Sequence, residues 1–319
     1  MKRRDFLVGI AGLPFVLPSR AIACSGDGPY AYFYQKDNNV VSIDSMDDFF
    51  NDYYGVGKWR YSDEMNTELS IPKIAEDTNQ VTMKLKLGKM PPKYDELQSL
   101  EFFNEAGTAL IPDPHPAIRL RRYGYRIGSY IPSGGVPLDF IFRYKTLGHA
   151  YSCPYIAWKV TAAGYPHTLI YRHPLLMKEH SCGGIQFIED DSSNVIHLLA
   201  NTVHKPERKD SNTILYRCKP FEKHWEIKMI VKSSNRLKYC KVYPEIKSFG
   251  ASFVKRIEVR NKYELLAGFD GTQWVASSPY YKFNIPGLPK GTELNVSWVM
   301  NTGERHQDKI ILEKFVRES

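Results

Sequence analysis

Gln80-Val81-Thr82-Met83-Lys84-Leu85-Lys86-Leu87 sets Val81, Met83, Leu85 and Leu87 on one side of an extended chain and Thr82, Lys84 and Lys86 on the other. Successive side chains of a strand point to opposite faces, so this run reads as a strand with one face buried and one face wet. Leu138–Tyr144 repeats the pattern: Leu138, Phe140, Phe142 and Tyr144 alternate with Asp139, Ile141 and Arg143. Tyr155–Thr161 reads as a third strand, with Trp158 near its centre. Pro91-Pro92, Asp113-Pro114, Ser133-Gly134-Gly135 and Leu147-Gly148 supply turn chemistry between them. Short alternating strands with regular turns predict a β-sandwich over residues 57–164.

The C-terminal part follows the same style. Trp225–Val231, Leu237–Val242, Phe253–Arg260 and Tyr263–Phe269 are strand candidates. Tyr281, Phe283 and Ile285, then Leu294, Val296, Trp298 and Met300, form two more alternating faces. Gly268, Gly271, Gly287, Gly291 and Gly303 mark turns, and a second sandwich is expected over 223–319. The fold class is therefore all-β. One helix is expected within an N-terminal segment, 24–56. Ser45-Met46-Asp47-Asp48 resembles a capping box, and Met46, Phe49, Phe50 and Tyr53 form an apolar stripe ended by Gly55 and Gly57. Between the sandwiches, residues 165–222 are rich in histidine and charge and read as an elaborated linker. Within it, Gly183–Glu189 and Val195–Ala200 are expected to pair as a hairpin across 190–194.

The first 23 residues read as an address. Arg3-Arg4-Asp5-Phe6-Leu7 is a twin-arginine pattern, followed by an apolar stretch to Leu17 and the small-residue site Ala21-Ile22-Ala23. The expectation is export to the periplasm by the twin-arginine route, with a lipoprotein at Cys24 as the alternative. The apolar run is too short to span a bilayer, and no other segment predicts a transmembrane helix in the mature chain. The whole chain carries a net charge of +8. Lys2, Arg3, Arg4 and Arg20 would leave with the signal against Asp5, so three of those eight charges go with it. A basic balance favours acidic partners. In that compartment the expectation is a redox protein, such as a quinoprotein dehydrogenase or a c-type cytochrome, and no nucleic acid.

Two stretches resemble a known family. Ile71-Pro72-Lys73-Ile74-Ala75-Glu76-Asp77, leading into Val81–Leu87, then Leu97–Phe103, Pro112, Pro114, Ile127 and Trp158-Lys159-Val160-Thr161, are similar to SoxY. Phe253–Val259, the run Trp274–Phe283, Gly291–Trp298 and Asn301-Thr302-Gly303 are similar to SoxZ. The chain thus resembles a fused SoxY–SoxZ-like sulfur-oxidation carrier of the kind associated with quinoprotein dehydrogenases. The resemblance implies two immunoglobulin-like sandwiches and a carrier role in sulfur-compound oxidation or a quinoprotein dehydrogenase system. It implies a cysteine on a flexible glycine arm after the last SoxY strand. That arm would follow Val160-Thr161-Ala162-Ala163-Gly164, where Tyr165 stands instead of cysteine. Tyr243-Pro244-Glu245 likewise replaces the SoxZ-type His-Pro-Met turn.

Cys182 is the candidate for a substitute carrier thiol, because Gly183 and Gly184 follow it and His180 precedes it. A thiolate is the nucleophilic form, and a protonated histidine nearby would favour it. The alternative is a disulfide from Cys182 to Cys218, pinning the base of the loop in an oxidising compartment. Cys153 and Cys240 offer a second disulfide, between the two sandwiches, or two buried thiols. His167, His173, Met177, His180 and Cys182 are ligand types that copper favours, so copper binding across 167–182 is a further reading, with His167, His173 and His180 as ligands. No hydrolase or dinucleotide motif stands out, so the expectation is a carrier or binding protein rather than an enzyme, with a non-carrier interaction module as the alternative function.

Overall fold

A computed structural model describes residues 41–71, 74–75, 80–87, 90–110, 119–145, 151–171, 176–179, 185–188, 196–198, 212–232, 253–276 and 278–313. In chain order the elements are β1 (Val41–Ile43), α1 (Met46–Tyr54), β2 (Trp59–Tyr61), β3 (Thr67–Ser70), β4 (Ile74–Ala75), β5 (Val81–Leu87), β6 (Glu96–Leu110) and β7 (Arg119–Ile131). They continue with β8 (Asp139–Tyr144), β9 (Tyr151–Ala162), β10 (Tyr165–Tyr171), β11 (Leu176–Glu179), β12 (Ile185–Ile188), β13 (Ile196–Leu198) and β14 (Ile214–Pro220). The last are β15 (His224–Val231), β16 (Val254–Asn261), β17 (Glu264–Gly271), β18 (Tyr280–Pro286), β19 (Glu293–Met300) and β20 (Arg305–Ile311). The chain is all-β with a short helix near its start. Among the described residues, no helix is long and apolar enough to cross a membrane.

Two sheets carry the structure, and each runs through both halves of the chain. One has the strand order β2-β10-β9-β6-β7-β17-β16-β19-β20, and the other β14-β15-β18-β8-β5-β3. The halves meet where β7 pairs with β17, Tyr130 opposite Phe269, and where β8 pairs with β18, Phe142 opposite Tyr281. Side chains tighten the same seam. Thr272 Oγ1 donates to the carbonyls of Arg126 and Ile127, at 3.1 and 2.9 Å, and Asn284 Nδ2 donates to Pro137 O at 2.9 Å. The alternating strands bury what their period requires: Val81, Met83 and Leu85 from β5, Phe140, Phe142 and Tyr144 from β8, Leu294, Val296 and Trp298 from β19. These residues belong to one hydrophobic cluster shared by both halves.

The stretch expected as linker is divided between the sheets. β10 pairs along its whole length with β9, Tyr165 to Tyr171 against Ala162 to Ile156, and β14 pairs with β15. The expected hairpin within it does not form. β12 pairs with β11, whereas β13 pairs with β9 and, in parallel, with β4. Alternation identifies a strand but not its partner, and β13 satisfies its backbone on the edge of β9 at Tyr151 and Ser152 instead. Leu237–Val242 lies outside the described residues.

Close approach of the halves depends on Gly128 of β7. A Cβ there would lie 2.4 Å from the backbone oxygen of Asp270 on β17, so a side chain must push the two strands apart. Gly128→Ala is expected to destabilise the protein by about 1–3 kcal/mol, the usual range for overpacking. Gly134→Ala, with nothing within 4 Å of its Cβ, should leave the unfolding midpoint unchanged. Equal midpoints for the two variants would show that the seam is looser than described.

Candidate functional site

The position where the resemblance expects a swinging arm is a tight turn. Ala163 and Gly164 have φ of 50° and 80°, and Ala162 pairs with Tyr165 across them. Two central residues with positive φ are the signature of a two-residue hairpin whose twist matches that of its strands. The turn is anchored from below: Asp95 N donates to Thr161 O at 2.8 Å, and Gly164 N donates to Asp95 Oδ2 at 3.4 Å. Tyr165 projects from the tip at 72% exposure. The backbone that would have to swing is held in a ladder.

His167 also lies on β10, exposed, with its ring 6.5 Å from that of Tyr94. Tyr94 heads a small polar knot. Its hydroxyl donates to Glu64 Oε2 at 2.8 Å and accepts from Arg60 Nη2 at 3.1 Å, while Lys93 Nζ lies 2.6 Å from Glu64 Oε2. Hydrogen bonds from Lys93 and Tyr94, then from Arg60, hold the Glu64 carboxyl down at about 2. The hairpin end of the sheet thus combines an exposed phenol, an exposed imidazole and a lysine beside a carboxylate that stays ionised.

The other sequence candidates divide as follows. Cys182, Gly183, Gly184, His173, His180 and Cys240 lie outside the described residues, as does Cys24. Cys218 is a buried free thiol on β14, and burial pushes it up to about 11, which makes it a poor nucleophile near neutral pH. Cys153 is buried beneath α1, in the cluster formed by Met46, Phe49, Phe50, Phe103, Tyr155 and Ile170. Trp158 and Trp298 are fully buried and Trp225 nearly so, which places all three in core packing.

A second polar cluster, absent from the sequence reading, lies under the helix. Ser45 caps α1, its Oγ accepting from Asp48 N at 3.2 Å, and Gly55 ends it with φ 94°. The apolar stripe of α1 then packs on the outer face of the larger sheet through Phe49 and Phe50, whose rings lie 5.8 and 5.3 Å from that of Phe103. Glu101 and Glu105 flank Phe103 on that face of β6, both almost wholly buried. Tyr54 Oη donates to Glu101 Oε2 at 2.7 Å, with Lys159 Nζ 2.9 Å away and Arg126 Nε 3.4 Å from the other oxygen. Burial opposes the charge of Glu101, but hydrogen bonds from Lys159 and Tyr54 and the charges of Lys159 and Arg126 outweigh it and hold the carboxyl below its usual range. Burial, then Glu101, pushes Tyr54 well up. Glu105 accepts from Tyr155 Oη at 2.9 Å and lies 3.5 Å from Arg122 Nε. A proton-transfer group needs a pKa near the working pH. The Glu101 carboxylate and the Tyr54 phenol are fixed on opposite sides of that range, so the cluster is a clasp for α1. Its sequence signal is two acids, Glu101 and Glu105, four residues apart and so on one face of a strand otherwise rich in Leu and Phe.

Fold and site together define an all-β protein of two stacked sheets, with a clasped helix on one outer face and a closed hairpin where a mobile arm was expected. No protein-family model matches the chain. No curated protein matches it either.

Proposed function

We propose that this chain is a SoxYZ-like periplasmic accessory protein that binds a redox partner of a sulfur-oxidation or quinoprotein dehydrogenase system and does not ferry a sulfur group on the expected arm. On this reading each half is an immunoglobulin-like sandwich and the protein is a binding module rather than an enzyme. The observation that carries it is the Ala163–Gly164 hairpin: a carrier arm needs loose backbone and a thiol, and this position has paired backbone and Tyr165. The basic balance of the chain supports an acidic partner. Pull-down from periplasm at low and high salt tests it, since an electrostatic contact weakens as salt rises. The expected result is a partner retained at low salt and released at high salt; the absence of any salt-sensitive partner contradicts it.

One observation favours a second reading, in which Cys182 is the carrier thiol. Cys218, its expected disulfide partner, is in no disulfide among the described residues. Alkylation of the purified native protein near pH 8, followed by peptide mass analysis, separates the two readings. A carrier requires Cys182 to react at once while Cys218, whose thiol burial pushes up to about 11, stays unmodified. An unreactive Cys182 ends the carrier reading and leaves the accessory reading standing. Copper binding by His167, His173 and His180 remains a proposal with its own test: copper retained after mild purification and lost on His173→Ala with His180→Ala.

A further inference from the structure

The outer face of the six-stranded sheet carries more cations than acids. The registers align Arg217 with Lys228, Lys228 with Lys282, Lys282 with Ile141, and Ile141 with Lys84, from β14 across β15, β18 and β8 to β5. At the usual strand spacing these four steps cover roughly 19 Å. Lys219 on β14, Arg143 on β8 and Lys86 on β5 point to the same side. The acids on this face are Glu226, Asp139 and Glu68: Lys282 holds the first two, at 3.1 and 2.5 Å, Lys228 Nζ lies 3.5 Å from Glu226, and Glu68 stands across from Lys86.

The outer face of the larger sheet is built differently. There Arg256 and Arg260 grip Glu258 at 2.7 and 2.8 Å, Lys309 lies 2.7 Å from Glu293, and Lys159 and Arg126 close on Glu101. Most of the cations on that face have an acid within reach, and α1 covers part of it. On the six-stranded sheet, Lys84 and Lys86 are exposed and have no ion pair among the described residues. Lys219 Nζ lies over the exposed ring of Phe221, and the Arg143 guanidinium lies over Tyr280, 5.0 Å from its centre. Beside the cationic row runs an apolar one, in which Leu215 pairs with Ile230 and Ile230 with Tyr280; Leu215 is 46% exposed. Lys84, Lys86, Leu215 and Lys219 are exposed on this face.

We propose that this face is a docking surface for an acidic protein, with Leu215, Ile230 and Tyr280 meeting apolar groups and Lys84, Lys86, Lys219 and Lys228 meeting carboxylates around them. Tyr and Arg beside a small apolar strip form the composition from which protein interfaces draw most of their affinity. A bare polyanion or an anionic membrane would leave the apolar row unused and would face Asp139, Glu226 and Glu68, so the mixed surface fits a protein. The inference rests on the accessory reading and assigns its partner a face.

The test couples the purified full-length protein to poly-L-glutamate with a carbodiimide, which joins lysine amines to carboxylates, and maps the modified lysines by mass spectrometry. At low salt, Lys84, Lys86, Lys219 and Lys228 should couple in preference to Lys255, Lys262 and Lys309 on or beside the larger sheet. The preference should disappear near ~0.5 M salt, where the Debye length falls to a few ångströms. Lys84→Glu, Lys219→Glu and Lys228→Glu together should cut retention of the protein on immobilised poly-L-glutamate about tenfold or more, as removal of a steering patch does. The triple change to glutamine should act in the same direction with the unfolding midpoint kept. Lys255→Glu, Lys262→Glu and Lys309→Glu should have little effect. Uniform coupling over all lysines overturns the proposal, as does binding to phosphatidylglycerol vesicles with no preference for poly-L-glutamate. If periplasmic pull-down yields a salt-sensitive partner that the Lys84, Lys219 and Lys228 changes do not weaken, the accessory reading survives and this face is wrong. If pull-down yields no such partner, the accessory reading fails whatever the lysine map shows.

Discussion

Phe140→Ala is expected to lower the stability of the whole protein by about 3–5 kcal/mol, the range for removing a large core aromatic. Phe140 is 1% exposed and stacks on Tyr130 with ring centres 4.2 Å apart and planes within 8°. It also faces Phe102 at 5.6 Å, Phe269 at 6.0 Å and Tyr281 at 6.3 Å. Phe102 and Tyr130 come from the N-terminal half, Phe269 and Tyr281 from the C-terminal half. Tyr130 itself stacks on Phe269 at 5.1 Å, and Phe269 on Tyr281 at 4.3 Å, so the rings form one column through the seam. A void in that column removes contacts from both halves at once. Scanning calorimetry should therefore show one transition moved down by roughly 10 °C, since each kcal/mol shifts a protein of this size by a few degrees. A variant in which one transition moves while a second stays in place would show that the halves fold separately.

Glu101→Ala is expected to cost about 2 kcal/mol and to loosen α1 from the sheet. The change leaves the Tyr54 hydroxyl and two cations without their carboxylate. Breaking a fully buried pair costs about 3–5 kcal/mol. Here the side chains of Lys159 and Arg126 are 35% and 20% exposed and can take up water, which lowers the cost. The pH dependence has a definite sign. The Glu101 carboxyl is held below its ordinary range in the folded protein, so its contribution is complete above the unfolded value of about 4.3. It is lost as pH falls through the folded value. Trp59 reports on this, because its Nε1 donates to Asn51 Oδ1 on α1 at 3.1 Å. Its fluorescence should change on acidification below about pH 4 in the wild type. In Glu101→Gln, which keeps an acceptor for Tyr54 but no charge, the acid-dependent part should vanish. An unchanged acid profile in that variant would move the helix clasp elsewhere.

The strands were legible wherever one face is buried and the other wet. Val81–Leu87 and Leu294–Met300 alternate cleanly because each sheet is apolar inside and polar outside. β10 was hidden because Tyr165, Pro166 and His167 are exposed, and only Leu169 and Ile170 reach the interior. Its first half reads as a polar loop. The pairing of β12 and β13 was not legible at all, since period two states that a residue faces inward without stating what lies alongside. The same limit hid the seam. Nothing in the spacing of Phe140 or Phe269 tells that their strands, from opposite halves, enter a common core. For the helix, the stripe of Met46, Phe49 and Phe50 announced a buried face but not the sheet it covers. Nothing in the spacing marks Glu101 and Glu105 as buried, since an acid in a strand is usually exposed. Only the arrival of α1, Lys159, Arg126 and Arg122 makes their burial tolerable. The departure at Tyr165 was visible in the sequence; the closed hairpin that accompanies it follows from the Ala163 and Gly164 dihedrals.

Native-state amide hydrogen exchange across the seam tests most directly whether two halves of one chain share two sheets and one core. The amides of β7, β8, β17 and β18 should exchange only with global unfolding, as slowly as those of Trp158 and Trp298 deep in each half. If the seam strands exchange through a local opening far cheaper than global unfolding, while Trp158 and Trp298 stay protected, the halves are separate bodies in contact and the shared core is wrong.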